Sequence, residues 1–180
     1  MKKFVCIIFI GLFIGAAAFA EHPDGLALGL TSNFGWGQFC EDYRAWYFNP
    51  GINLKVPHVP VYWSAFGNLK SHSIGFGLTG DYYIFDKTIV DEDRTNEKGT
   101  YRLKMGWYLG AGIFANVDIW YGDVKIFNMG LRVPGGVSWF ITEKLELFAG
   151  VAPSLGAWVF EGHTGPHWLI NQEIGIRRWF

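Results

Sequence analysis

The stretch "WYLGAGIFANVDI", Trp107 to Ile119, decides the fold. Trp107, Leu109, Ala111, Ile113, Ala115, Val117 and Ile119 share one face, and all seven are apolar. Tyr108, Gly110, Gly112, Phe114, Asn116 and Asp118 share the other, which mixes aromatic, small and polar residues. Side chains on a strand alternate between faces, so this pattern predicts one long strand with a greasy side and a mixed side.

The same period recurs on both sides of that stretch. In "IFNMGLRV", Phe127, Met129, Leu131 and Val133 oppose Asn128, Gly130 and Arg132. In "LELFAGV", Leu145, Leu147, Ala149 and Val151 oppose Glu146, Phe148 and Gly150. In "SIGFGLTGDYYIF", Ile74, Phe76, Leu78, Tyr82 and Ile84 oppose Gly75, Gly77, Thr79 and Asp81. A hairpin joins "SWFI" to "LELF". A three-residue loop, 142–144, pairs Ile141 with Leu145, Trp139 with Leu147 and Val137 with Ala149, all on the greasy face. The whole reading gives eight strands, near 25–36, 46–56, 60–69, 73–86, 101–120, 123–141, 145–159 and 167–180. An even number of antiparallel strands can close into a barrel without edges. The fold class expected is an all-β, eight-stranded, antiparallel, up-and-down transmembrane barrel.

The beginning of the chain sets the compartment. "MKKFVCIIFIGLFIGAAAFAE" has Lys2 and Lys3, an apolar run from Phe4 to Ile14, and Ala18 and Ala20 ahead of Glu21. This is the pattern of a secretory signal peptide, cleaved after residue 20, with the barrel domain over 21–180. The remaining domain carries 13 basic and 16 acidic residues, a formal charge of −3. That is no nucleic-acid footprint. Cys40 is its single cysteine, so it has no disulfide framework and no cysteine-based metal site. After the signal no run of 18 apolar residues remains, which excludes a helical membrane protein.

Two architectures share eight strands. A lipocalin-like carrier hides its greasy face inside, whereas an outer-membrane barrel turns it to lipid and fills a narrow lumen with small and polar residues. The mixed faces carry Asp81, Asp118, Arg132, Glu146, Glu173 and Arg177 among many glycines, too few charges to coat a water-facing surface. Trp63, Tyr82, Trp107, Trp139 and Trp168 fall near strand ends on the greasy face, as an interfacial girdle does. The membrane barrel is therefore the favoured reading, with the soluble periplasmic carrier of a small apolar ligand as the alternative.

Four stretches carry a family resemblance: "TGDYYIFDK" (79–87), "LRVPGGVSWF" (131–140), "LELFAGVAPSLG" (145–156) and "IGIRRWF" (174–180). They resemble the small eight-stranded outer-membrane barrels of spirochaetes, akin to the OmpX, OmpA and OmpW type. The resemblance implies the fold and an outer-membrane location, and it carries over no catalytic residues. Phe180 resembles the terminal aromatic that the barrel-assembly machinery reads. Arg178 departs from that signal, where an aromatic is expected.

The functional expectation is a non-enzymatic outer-membrane barrel in contact with membrane lipid, with a structural or surface-interaction role. Passage of small hydrophobic molecules is a further option. No cofactor, metal or catalytic site is expected, and sequence names no host or ligand partner. His163 and His167 in "EGHTGPHW" are close, but the Gly and Pro between them suggest a turn. No P-loop, G-x-S-x-G or H-E-x-x-H motif occurs. The candidate site is lumenal: Arg132, Glu146, Glu173 and Arg177 alternate onto the mixed face of the last three strands. Glu146 with Arg177, and Arg132 with Glu173, are expected to form an ion network that supports the barrel.

Two features strain this scheme. Pro134 and Pro153 lie inside expected strands, where each removes a ladder hydrogen bond. The charged connection "DKTIVDEDRTNEKGT", near 86–100, falls on the same side as the N-terminus, where turns are usually short. Either its flanking strands extend as a hairpin beyond the membrane, or the count is off by one.

Overall fold

The computed structural model describes residues 22–40, 43–70, 73–96, 99–120 and 124–180. The signal peptide expected over 1–20 lies outside them. Nine strands form one antiparallel sheet: β1 (Ala27–Cys40), β2 (Tyr43–Lys55), β3 (Val61–Lys70), β4 (Ser73–Asn96), β5 (Gly99–Trp120), β6 (Val124–Arg132), β7 (Gly135–Thr142), β8 (Leu145–Phe160) and β9 (His163–Trp179). The strands β6 and β7 are halves of one stave, since β5 and β8 each pair with both. The first strand pairs with the last from Ala27↔Trp179 to Gln38↔Trp168. The sheet is thus a closed ring of eight staves.

Register fixes its shape. Across neighbours, Ala27 leads to Lys55, Tyr62, Asp81, Gly112, Arg132, Ser154, Leu169 and back to β1 at Gly37, ten residues along. With standard strand rise and spacing, that stagger tilts the staves by roughly 40° and gives a backbone radius of about 8 Å. Such a lumen has room for side chains and little else.

Alternation then decides which way each face points. On β8, Glu146, Phe148, Ala152, Ser154 and Trp158 are buried, while Ala149, Val151, Pro153 and Leu155 are exposed. Leu30, Trp46, Ile74, Ile113, Leu131 and Ile174 are all more than half exposed, whereas Asp118, Arg132, Glu146 and Arg177 are at most 2% exposed. A water-soluble barrel has the opposite polarity. The outer belt is aromatic at both ends. Trp36, Trp46 and Trp168 gather at the end where β1 meets β2, with Trp36 edge-on to Trp168 at 4.9 Å. Trp63, Trp107 and Trp139 ring the other end.

The two prolines share one defect. Pro134 separates β6 from β7, and its carbonyl accepts from the Gly110 N–H (2.8 Å). The Val133 N–H reaches the Pro153 carbonyl at 3.0 Å, and Pro153 keeps its place opposite Ile170 in β8. Placing both beside each other concentrates the lost ladder bonds at one level of the wall. The β7–β8 turn also departs from the expected loop. Val137↔Ala149 and Trp139↔Leu147 pair as the greasy-face rule requires, but a bulge at Ile141 sets Thr142 opposite Leu145. The Thr142 hydroxyl accepts from the N–H groups of Lys144 (3.3 Å) and Leu145 (3.1 Å), which locks a two-residue turn instead of three. Gly165 and Pro166 are strand, not turn, and Pro166 lies opposite Ala157. There β9 runs past the last β1 pairing, so the proline nitrogen faces an open edge.

The charged connection is an extended ribbon, and the eight-stave count stands. The strands β4 and β5 stay paired to Asn96↔Gly99, beyond the last β3 pairing at Tyr82 and the last β7 pairing at Lys104. From Thr88 the ribbon continues for about 25 Å. Bulges between Tyr83/Phe85 and Thr88/Val90 re-aim it at the rim. Its free β4 edge carries Asp91, Glu92, Asp93 and Arg94, charges that discourage pairing with other strands.

Candidate functional site

The barrel interior is built from alternate residues of every stave, and its charges fall into three levels. The first level lies at the end where β1 begins and β9 ends, the termini end of the sheet. Glu146 enters from β8 and Arg177 from β9, opposite each other in register, with Nη1 3.2 Å from Oε2. The Arg177 guanidinium is stacked between the rings of Tyr62 (4.6 Å) and Phe148 (4.4 Å). Its Nε donates to Asn53 Oδ1 at 2.7 Å, and the Trp179 indole donates to Glu146 Oε2 at 2.7 Å. Gly175 lies under Phe148, where any methyl would overlap the ring.

The same level receives a residue that sequence reasoning missed. His22 precedes β1 and turns into the lumen. Its Nδ1 lies 2.5 Å from Asp86 Oδ1 and its Nε2 3.0 Å from Glu146 Oε1, and its backbone N–H donates to Asp86 Oδ2 at 3.0 Å. A neutral imidazole has one donor nitrogen and one acceptor, so two carboxylate partners call for the imidazolium. Burial alone would push the His22 pKa down, but the Glu146 charge and the hydrogen bonds to Asp86 and Glu146 outweigh it and raise it to about 9. Tyr62, Tyr83, Phe140 and Trp179 surround the ring at centroid distances of 6.1, 6.2, 5.8 and 6.1 Å. Tyr83 also stacks between Tyr62 (4.2 Å) and Tyr108 (4.3 Å). Outside the cage, Asp24 accepts from the backbone N–H of His58 (2.9 Å) and meets its Nδ1 at 2.8 Å; those bonds hold the Asp24 carboxyl below its ordinary pKa.

The middle level is centred on Arg132. It is ion-paired with Glu173, and its Nε faces Asp81 Oδ1 at 3.0 Å. Gly112 sits between Asp81 and Arg132 in the register, and a side chain there would collide with both. Tyr47 donates to Asn171 Oδ1 at 2.6 Å, and Asn171 in turn donates to Ser154 Oγ at 3.0 Å.

The third level lies at the opposite end. Lys70 Nζ is 2.5 Å from Asp118 Oδ2, and Asn128 (3.0 Å) and Asn68 (3.4 Å) donate to the same carboxylate. His167 is fully buried beside Phe114 at 5.5 Å, whereas His163 is exposed at the β8–β9 turn. Among the described residues, no group of three or more His, Cys, Asp or Glu is placed to hold a metal ion.

The four residues singled out from the sequence therefore fall on two levels, Glu146 with Arg177 and Arg132 with Glu173. Their partners Asp81, Asn53 and His22, and Asp86 beyond His22, were not part of the expected set. The row Asp81–Gly112–Arg132 could have been found from strand alternation plus stagger. Nothing periodic marks His22. Phe180 lies outside the barrel, 64% exposed, with the Arg178 guanidinium 5.4 Å from its ring. Its N–H donates to the Leu26 carbonyl at 2.9 Å, which seals the last stave to the first.

No family model matches the chain, and no curated protein matches it. Among solved structures, the crystal structure of Neisserial surface protein A is similar in fold. It is 18% identical, with a TM-score of 0.55, over 87% of this chain and 97% of that one.

Proposed function

We propose that this chain is a non-enzymatic outer-membrane β-barrel whose role is structural, with a charged ribbon reaching into the periplasm. One observation carries the reading: the staves turn apolar residues outward, and the charges that face the lumen, Asp81, Asp118, Arg132, Glu146, Glu173 and Arg177, are held in ion pairs. The lipocalin-like alternative needs those faces reversed. Passage of small hydrophobic molecules through the lumen is disfavoured, because three charged levels and the Tyr62–Tyr83–Tyr108 stack cross it.

An even number of staves puts both termini on one side, the periplasmic side for a chain delivered by a signal peptide. Phe180 would then present the last stave to the barrel-assembly machinery, and the β4–β5 ribbon would stand in the periplasm. On the outer side, consecutive strands are separated by only two or three residues, at 41–42, 71–72, 121–123 and 161–162. The narrower likeness to the spirochaetal barrels rests on the four stretches quoted above.

The test is fractionation followed by electrophoresis. The protein should partition with outer membranes, need detergent, and migrate differently before and after boiling. In planar bilayers it should give no large stable conductance. Recovery as a detergent-free soluble monomer would overturn the proposal.

A further inference from the structure

We propose that the aromatic cage at the termini end of the lumen is a receptor site for a small planar organic cation, and that His22 is its built-in occupant. The inference rests on the lumen geometry and does not depend on which membrane holds the barrel.

The site belongs to the barrel, while its occupant does not. Asp86, Glu146, Tyr62, Tyr83, Phe140 and Trp179 all come from staves and are each at most 9% exposed. Two carboxylates lie on opposite edges of the imidazole, 2.5 and 3.0 Å from its nitrogens, and four aromatic rings wall the remaining sides. Arg177 neutralises Glu146, so with the cage emptied the buried Asp86 would lose its imidazolium partner, with the more distant Lys55 over the Tyr62 ring and Lys104 over the Phe140 ring at the cage wall. A buried unpaired charge is costly, which makes the empty cage a strong acceptor for a cation with two N–H donors on opposite edges.

The occupant is held by a short segment with clefts on both sides. A cleft of about 350 Å³ opens between Pro23, Lys55, His58 and Pro60, and another of about 210 Å³ between Pro23, Arg102 and Phe140. Outside the cage the segment is tied through Asp24, to His58 at 2.8 Å and to Lys55 at 3.7 Å. Those groups are solvent-facing or long-range, so they contribute little to holding it. Withdrawal of the segment would open the cage to either cleft.

Cavity complementation in detergent micelles tests this on the intact chain. At about pH 6, where imidazole is largely protonated, His22→Ala should unfold at lower urea than the parent. Imidazolium chloride should restore the midpoint saturably, raising the folded-to-unfolded ratio about tenfold at ten times its dissociation constant. Pyrazole, equal in size but uncharged, should not restore it, nor should sodium chloride at the same ionic strength. The parent, with its cage filled, should show no saturable shift. Adding Asp86→Asn to His22→Ala should remove the imidazolium response. If His22→Ala does not refold unaided, its refolding yield in imidazolium against pyrazole is the readout. No saturable imidazolium effect on stability or yield, an equal effect of pyrazole, or a response that survives Asp86→Asn overturns the proposal.

Discussion

The two ends of the lumen solve one problem differently. At the turn end, Asp118 is met by Lys70 and two asparagines, all from staves. At the termini end, Glu146 is paired with Arg177, and the hydrogen-bonded cation that joins Glu146 to Asp86 is His22, a residue outside the sheet. A closed cluster of staves contributes rigidity. A cluster that borrows its last charge can be altered without touching the wall.

The largest effect should come from breaking the two carboxylates. Glu146→Gln takes the counter-charge from Arg177 and leaves His22 with Asp86 as its one carboxylate partner, and should cost about 3–5 kcal/mol in urea unfolding from micelles. Asp118→Asn should cost less, because the Lys70 stem can swing its ammonium toward the nearby barrel mouth. Equal losses would erase the distinction between the ends.

The middle level offers the next test. A double-mutant cycle on Arg132→Met and Glu173→Gln should return a coupling of about 1–3 kcal/mol. Additive losses would mean that Asp81 alone carries Arg132.

A pH series separates the ends without mutation. The pKa of His22 is raised from 6.5 to about 9 in the folded chain. Its contribution is fully present below pH 6.5 and is lost as pH rises through about 9. The urea midpoint should therefore fall across that window in the parent, and the fall should be much smaller in His22→Ala. A parent midpoint flat from pH 6.5 to 9.5 would count against the imidazolium.

The smallest effect belongs to the ribbon. Arg102 grips Asp91 through two hydrogen bonds of 2.6 and 2.8 Å, but both side chains are open to water. Asp91→Asn should leave the unfolding midpoint unchanged within error. A clear loss would show the ribbon to be part of the cooperative barrel.

Much of this protein was legible because strand alternation is local. Trp107 to Ile119 announces a two-faced strand, and repeating that reading gives the staves to within a few residues, except that β4 runs ten residues past its expected end at 86. Glu146 opposite Arg177 follows from counting back along one hairpin from its turn. Arg132 with Asp81 was harder, because they lie two staves apart and meet only over Gly112. Pro134 and Pro153 looked like two faults in sequence and form one in space.

By itself, then, the sequence determined the period, the number of staves and the apolar face, since each depends on residues within one strand or hairpin. Only the tertiary structure decided the ten-residue stagger, and with it which charges share a level. Only the closed ring could place His22 beside Glu146, 124 positions away, because a residue outside the strands has no period and is located solely by the partners that bury it.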